Sequence, residues 1–171
     1  MVKKYVLTGG PGTGKSSIVL ALEARGEYII REAAEDRIKL KQAMGVREPW
    51  AEPEFQDGIL ALQLQRETRI PESVGRVFLD RGLYDGLAYV LEGTPIYQRI
   101  LREARLAHYD KIFLVEQLGV TKKTVVRKEN HDEALALGKK LEAIYRRAEY
   151  PLVRIEMGTV EERVQQILEQ I

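Results

Sequence analysis

The chain has 171 residues, enough for one domain with a real core, with 44% apolar and 31% charged residues and a formal net charge of +1. That balance argues against a nucleic-acid coat or a membrane-surface protein, though a local basic groove stays open. Cysteine is absent, so disulfides, thiolate catalysis and cysteine-ligated zinc are excluded; the two histidines, His108 and His131, are too distant in sequence to suggest a metal site.

A short apolar run, Tyr5-Val6-Leu7, predicts strand one over roughly 3–8. Gly9-Gly10-Pro11-Gly12-Thr13-Gly14-Lys15-Ser16 follows, then a helical pattern with Ile18, Val19 and Leu22 that ends near Gly26. Residues 27–30 read as strand two, and a charged stretch from Glu32 to about Met44 reads as helical. Pro49, Trp50 and Pro53 mark a break, after which Phe55, Ile59 and Leu62 recur at helical spacing to about Arg69. Val77-Phe78-Leu79-Asp80 is a buried strand ending in a carboxylate, followed by a helix through Ala88 and Val90 that Gly93 closes.

Thr94-Pro95 opens the next helix, with Thr as cap and Pro at the first helical position. Residues 112–115 form strand four. Residues 117–129 lack periodicity and carry Lys122, Lys123, Arg127 and Lys128. Asn130-His131-Asp132-Glu133 resembles a capping box before a long helix through Ala134, Leu141 and Ala148. Residues 152–155 are strand five. Thr159 and Glu162 cap a last helix with Val160, Val164, Ile167 and Ile171 on one face. Strands alternating with helices predict an α/β fold, a parallel sheet covered on both faces, in one domain over 1–171. Ligands of such sheets sit beyond the carboxyl ends of the strands, where Glu32, Asp80 and Glu116 fall.

The G-x-x-x-x-G-K-S spacing between strand and helix predicts a phosphate-binding P-loop. Its backbone N–H groups and the helix N-terminus attract anions, so Gly9, Gly10, Gly12, Thr13, Gly14, Lys15, Ser16 and Ser17 are the candidate nucleotide-phosphate residues. Lys15 reaches the β- and γ-phosphates, and the Ser16 hydroxyl is a Mg²⁺ ligand. Asp80, at a strand end, either holds Mg²⁺ alongside Ser16 or caps the following helix; the two roles are compatible. Arg81 is placed to grip a transferring phosphoryl group, or makes an ordinary ion pair. Glu32 is a candidate base for an attacking hydroxyl, or a helix cap; Glu116 ranks below it. The basic segment of about 117–130 is a candidate lid, with Arg127 its best catalytic candidate, or a solvated charge run. Trp50, Phe55 and Tyr84 are aromatics near the expected cleft, although Phe55 reads equally as core. Gln63 adds a polar group to the same wall.

These residues resemble a known group, the NadR-like AAA domain family of small P-loop proteins related to the kinase domain of the NAD-biosynthesis regulator. The resemblance rests on the P-loop, Arg31-Glu32-Ala33-Ala34, Phe55-Gln56 to Gln63 and Glu67, and above all Phe78-Leu79-Asp80-Arg81-Gly82-Leu83-Tyr84-Asp85-Gly86-Leu87-Ala88-Tyr89. It continues through Tyr109 to Leu114, Val126-Arg127-Lys128-Glu129 and the stretch from Tyr145 to Glu162. It implies a three-layer P-loop NTPase fold with an adenylate-kinase-like core and a five-stranded parallel sheet in the order 2-3-1-4-5. It further implies that Glu32, Asp80 and Arg81 match the acidic and Asp/Glu-Arg motifs of deoxynucleoside and thymidylate kinases, and that Arg127 lies in the lid. Phe55, Gln63, Tyr84 and Asp85 are the candidate acceptor-binding residues. One departure stands out: relatives often carry an Asp shortly before the lid Arg, whereas residues 122–126 here contain no acid.

The expectation is a cytoplasmic, Mg²⁺-dependent phosphotransferase that uses ATP or GTP and acts on a nucleoside-like or nucleotide small molecule. It expects no membrane segment and sets nucleic acid aside. The family also includes a trafficking factor that binds GTP, so the alternative is a nucleotide switch or slow NTPase with a protein partner. A polynucleotide-end kinase is the second alternative. Ras-like base recognition is not expected, because Asn-Lys-x-Asp is absent.

Overall fold

In a computed structural model of the protein, residues 1–118 and 131–171 are described. Five parallel strands, β1 (Lys3–Thr8), β2 (Tyr28–Ile30), β3 (Arg76–Asp80), β4 (Lys111–Val115) and β5 (Leu152–Ile155), form one sheet in the order 2-3-1-4-5. This is the order that the resemblance implies. The helices are α1 (Lys15–Ala24), α2 (Ala33–Ala43), α3 (Phe55–Thr68), α4 (Pro95–Leu106), α5 (His131–Arg147) and α6 (Val160–Leu168).

Side-chain alternation along the central strands feeds two cores. Tyr5, Leu7, Phe78 and Phe113 point to one face and pack on Ile18 and Leu22 of α1 and on Val164 and Ile167 of α6. Val6, Val77, Leu79 and Ile112 point to the other and meet Leu60, Ile100, Ala104 and Tyr145. Such continuous burial makes β1, β3 and β4 the rigid floor on which the site stands. Two of the expected caps are present: Thr94 Oγ1 accepts from Tyr97 N at 3.3 Å, and Thr159 and Glu162 form a reciprocal capping box; the box expected at Asn130 lies outside the described residues.

The stretch after β3 corrects the sequence reading. Residues Leu83–Tyr89 form a 3-10 helix, where an ordinary helix was expected. With three residues per turn, Leu83, Gly86 and Tyr89 share one face and Tyr84 and Leu87 another.

Candidate active site

Parallel register sets the first contacts. Leu7 of β1 pairs with Asp80 of β3, and Thr8 with Leu114 of β4. The P-loop therefore leaves β1 between two strand ends, and α1 begins beside Asp80. Gly14 caps α1 with φ 84, a left-handed conformation that favours glycine. Close approach matters as much: a Cβ on Gly9 would stand 2.6 Å from Val115 O, and one on Gly10 2.4 Å from Ala134 O. Lys15 is 5% exposed, and its Nζ donates to Gly9 O at 3.0 Å, Gly10 O at 2.9 Å and Thr13 Oγ1 at 3.1 Å. Burial lowers its pKa to about 8 and the nearby Arg81 cation adds to this, while Asp80, Glu32 and Asp85 oppose it.

Ser16 Oγ donates to Asp80 Oδ2 at 2.8 Å, whereas Asp80 Oδ1 is buried without a hydrogen-bond partner. A hydroxyl beside an unsatisfied carboxylate oxygen is a donor set suited to Mg²⁺, a hard cation that takes oxygen ligands and shares them with phosphates and water. Among the described residues no group of three or more His, Asp or Glu gathers as a closed metal cage.

Arg81 connects the parts. It adopts φ 72, and its backbone N donates to Leu7 O at 3.0 Å. A non-glycine residue in this region costs about 1–3 kcal/mol and persists where surrounding contacts impose it. Nη1 donates to Asp85 Oδ1 at 3.0 Å and to Gly9 O at 3.3 Å. Nε stands 3.2 Å from Glu32 Oε1, an ion pair off the hydrogen-bond angle, and the guanidinium lies 5.8 Å from the Tyr89 ring centre. Glu32 caps nothing through its side chain at the start of α2. Its carboxyl is raised above the usual range by burial and by Asp80, with Arg81 opposing.

Asp85 lies at the centre of a buried knot. Oδ1 accepts from Thr8 Oγ1 at 2.8 Å and from Arg81; Oδ2 accepts from Gly82 N at 3.0 Å and Tyr145 OH at 2.6 Å. All four donors come from the protein, so Asp85 holds Arg81 in place, and it is also one of the residues that line the cavity of the site. Gly82 is required beside it, because a Cβ there would lie 2.8 Å from Tyr145 OH. Gln63 also faces inward: its Nε2 donates to Glu67 Oε1 at 2.9 Å, and Tyr109 OH donates to the same oxygen at 3.0 Å.

One cavity of about 610 Å³ joins these groups. Gly12, Gly14, Lys15, Ser16 and Ser17 line it together with Glu32, Arg81 and Asp85 and with Trp50, Phe55, Ile59, Gln63 and Tyr89. Phe55 is both core and wall, being 5% exposed. Tyr84 corrects the sequence expectation: it does not line this cavity, and its ring packs on Tyr145 and Tyr150 at 5.6 and 5.7 Å. Tyr89, which the sequence reading places in the family-like stretch without a role in the cleft, is the aromatic of the 3-10 helix that lines the cavity. Glu116 is not among the lining residues; its carboxylate is 3.8 Å from Arg154. Arg127, Lys122, Lys123, Lys128 and Asn130 lie outside the described residues, so the lid expectation is not addressed by these contacts.

This sheet order, the glycine loop between β1 and α1 and the Ser16–Asp80 pair define a P-loop fold of the kinase type. The chain belongs to the family described as AAA domain, which matches residues 4–163. A comparison with curated proteins finds no match. Among solved structures, deoxyadenosine kinase from M. mycoides with bound dATP is similar at TM-score 0.64 and 15% identity, over 98% of each chain. NadR protein in complex with NAD and AMP-PNP gives TM-score 0.69 and 15% identity, over 98% of this chain and 49% of that one. Thymidylate kinase from Candida albicans gives 0.61 and 13%, over 99% and 90%. At these identities the likeness is one of fold. No helix among the described residues is long and apolar enough to cross a membrane.

Proposed function

We propose that this protein is a Mg²⁺-dependent phosphotransferase that moves the γ-phosphate of ATP or GTP to a hydroxyl or phosphate of a nucleoside-like small molecule. The observation that carries the reading is one cavity of about 610 Å³ lined by the P-loop together with apolar, aromatic and amide side chains. The similarity to nucleoside and nucleotide kinases supports the same reading.

Ser16 and Asp80 would hold the Mg²⁺, which when bound neutralises charge on the phosphates. Lys15 exchanges its carbonyl partners for phosphate oxygens and gains from the exchange, since the ammonium is buried. Glu32 accepts the proton of an acceptor hydroxyl; its raised pKa brings it nearer to the operating pH. Arg81, fixed by Asp85 and within reach of Gly9 O, stands where charge builds on the transferring group. Arg127 is assigned a similar part on its place in the sequence. Trp50, Phe55 and Tyr89 offer flat apolar surface to a planar acceptor, and Gln63 an amide.

The test is phosphate transfer from γ-labelled ATP and, separately, GTP to a panel of nucleosides, nucleoside monophosphates and nicotinamide riboside. Lys15→Ala serves as the blank. A labelled small-molecule product that disappears in the blank is expected. Phosphate release at an unchanged rate with every acceptor, and no labelled product, would instead favour the switch.

A further inference from the structure

Arg163 on α6 is 1% exposed and belongs to no recognised motif. Its guanidinium reaches three segments far apart in sequence. Nη1 donates to Thr13 O in the P-loop, Nη2 to Glu116 O just past β4 at 2.6 Å, and Nε to Glu156 O just past β5 at 3.0 Å. The nearby Glu116 carboxylate turns to Arg154 at 3.8 Å. Burial lowers the Arg163 pKa, and the Glu116 charge opposes this only in part. A buried cation served by carbonyl oxygens alone is costly to keep, and core packing would be met as well by an apolar residue.

Its partner Thr13 O indicates what it does. No peptide bond in the described chain is cis, and in a trans peptide C=O and N–H point in opposite directions. With Thr13 O turned to Arg163, the Gly14 N–H of the same peptide points away from α6. Gly14 lines the cavity beside the P-loop and caps α1. The guanidinium also polarises that peptide, which makes the N–H a stronger donor. A Cβ on Gly14 would come 3.3 Å from Arg163 Nη1, so the contact is close.

We infer that Arg163 is a positioning residue of the phosphate site, fixing the Thr13–Gly14 peptide so that the Gly14 N–H faces a bound anion. This rests on the reading of the P-loop as a triphosphate site. Arg163→Lys keeps the charge but loses the fork that serves three carbonyls at once; Arg163→Gln keeps a donor and loses the charge.

The probes are inorganic tripolyphosphate, ATP and GTP, titrated calorimetrically into wild type, both variants and Lys15→Ala. Thermal unfolding without ligand and the amide signal of Gly14 in a nitrogen-15 spectrum are read alongside. Arg163→Lys is expected to stay folded and to bind tripolyphosphate at least about tenfold more weakly, the scale of one lost hydrogen bond to a charged group. The shift of the Gly14 signal on adding tripolyphosphate shrinks with it, which a purely structural role would not require. Wild-type affinity and an unchanged Gly14 response in a folded Arg163→Lys would overturn the inference and leave the phosphate site standing. If the variants unfold, the wild-type spectrum decides: a Gly14 amide that ignores tripolyphosphate, while Lys15-dependent binding persists, also overturns it. A wild-type protein that binds none of the three probes overturns the triphosphate reading itself.

Discussion

Asp85→Asn replaces one carboxylate oxygen by an amide group in a knot where all four neighbours donate hydrogen bonds. If the new amide takes the Oδ2 position, it faces the Gly82 N–H. If it takes the Oδ1 position, it faces the Arg81 guanidinium. The hydroxyls of Thr8 and Tyr145 can rotate to accept, but an N–H cannot, so one buried donor loses its partner in either orientation. An unsatisfied buried group costs about 1–3 kcal/mol. Removing one member of a buried ion pair costs about 3–5 kcal/mol. Arg81 and Asp85 side chains are 11% and 3% exposed, so solvent screens the pair little. Because Arg81 keeps Glu32 as a second partner, the two costs overlap, and about 3–5 kcal/mol is expected in all. At a urea slope of about 2 kcal/mol/M the unfolding midpoint falls by roughly 1.5–2.5 M. Equilibrium urea unfolding measures the midpoint, and phosphate transfer at a concentration where the variant is folded measures Arg81. A midpoint lowered by less than about 0.5 M, with transfer intact, would refute the claim that Asp85 sets Arg81 in place.

Glu32→Gln is expected to lower transfer by about 10²–10⁴-fold while nucleotide affinity, read by calorimetry, stays close to wild type. The wild-type rate falls as pH drops through the raised Glu32 pKa, because the base must be unprotonated, and the variant loses this acid limb. For Lys15, with its pKa lowered to about 8, triphosphate binding above that pH takes up a proton, seen as a dependence of binding heat on buffer. Affinity falls as pH rises through about 8. Over the window from about 8 to the unfolded value of 10.5, the unfolded chain holds more protons, so the unliganded fold gains stability from this group. Equal binding heats in all buffers at pH 9 would contradict the buried ammonium. Gly10→Ala is expected to abolish nucleotide binding and lower the melting temperature, since its Cβ meets Ala134 O at 2.4 Å. Gly75→Ala, with nothing within 4 Å, should be silent in both assays.

The features legible in the sequence are those whose partners lie nearby or whose geometry is general. The P-loop spacing places glycines, Lys15 and Ser16 by local backbone chemistry alone, and an apolar strand ending in Asp80 leads to a carboxylate beside them once the strands pair in parallel. Glu32 follows from the same logic at the end of β2. The continuous apolar runs that leave β1, β3 and β4 buried on both faces are likewise written in the residues.

What only the tertiary structure decided is which way side chains turn when the local period is ambiguous, and which distant groups meet. The sequence places Tyr84 near the cleft; in the folded chain Tyr84 packs on Tyr145 and Tyr150, and Tyr89, five residues on, lines the cavity. Asp85 looks like a free acid three residues past Gly82, but Thr8 and Tyr145, 77 and 60 residues away, fill it with hydrogen bonds. Arg163 draws no reading from the sequence, yet it crosses 150 residues to reach the P-loop. Periodicity records how a segment divides itself between core and water. Satisfaction of a buried polar group depends on donors and acceptors that folding brings together, and no local pattern carries that pairing.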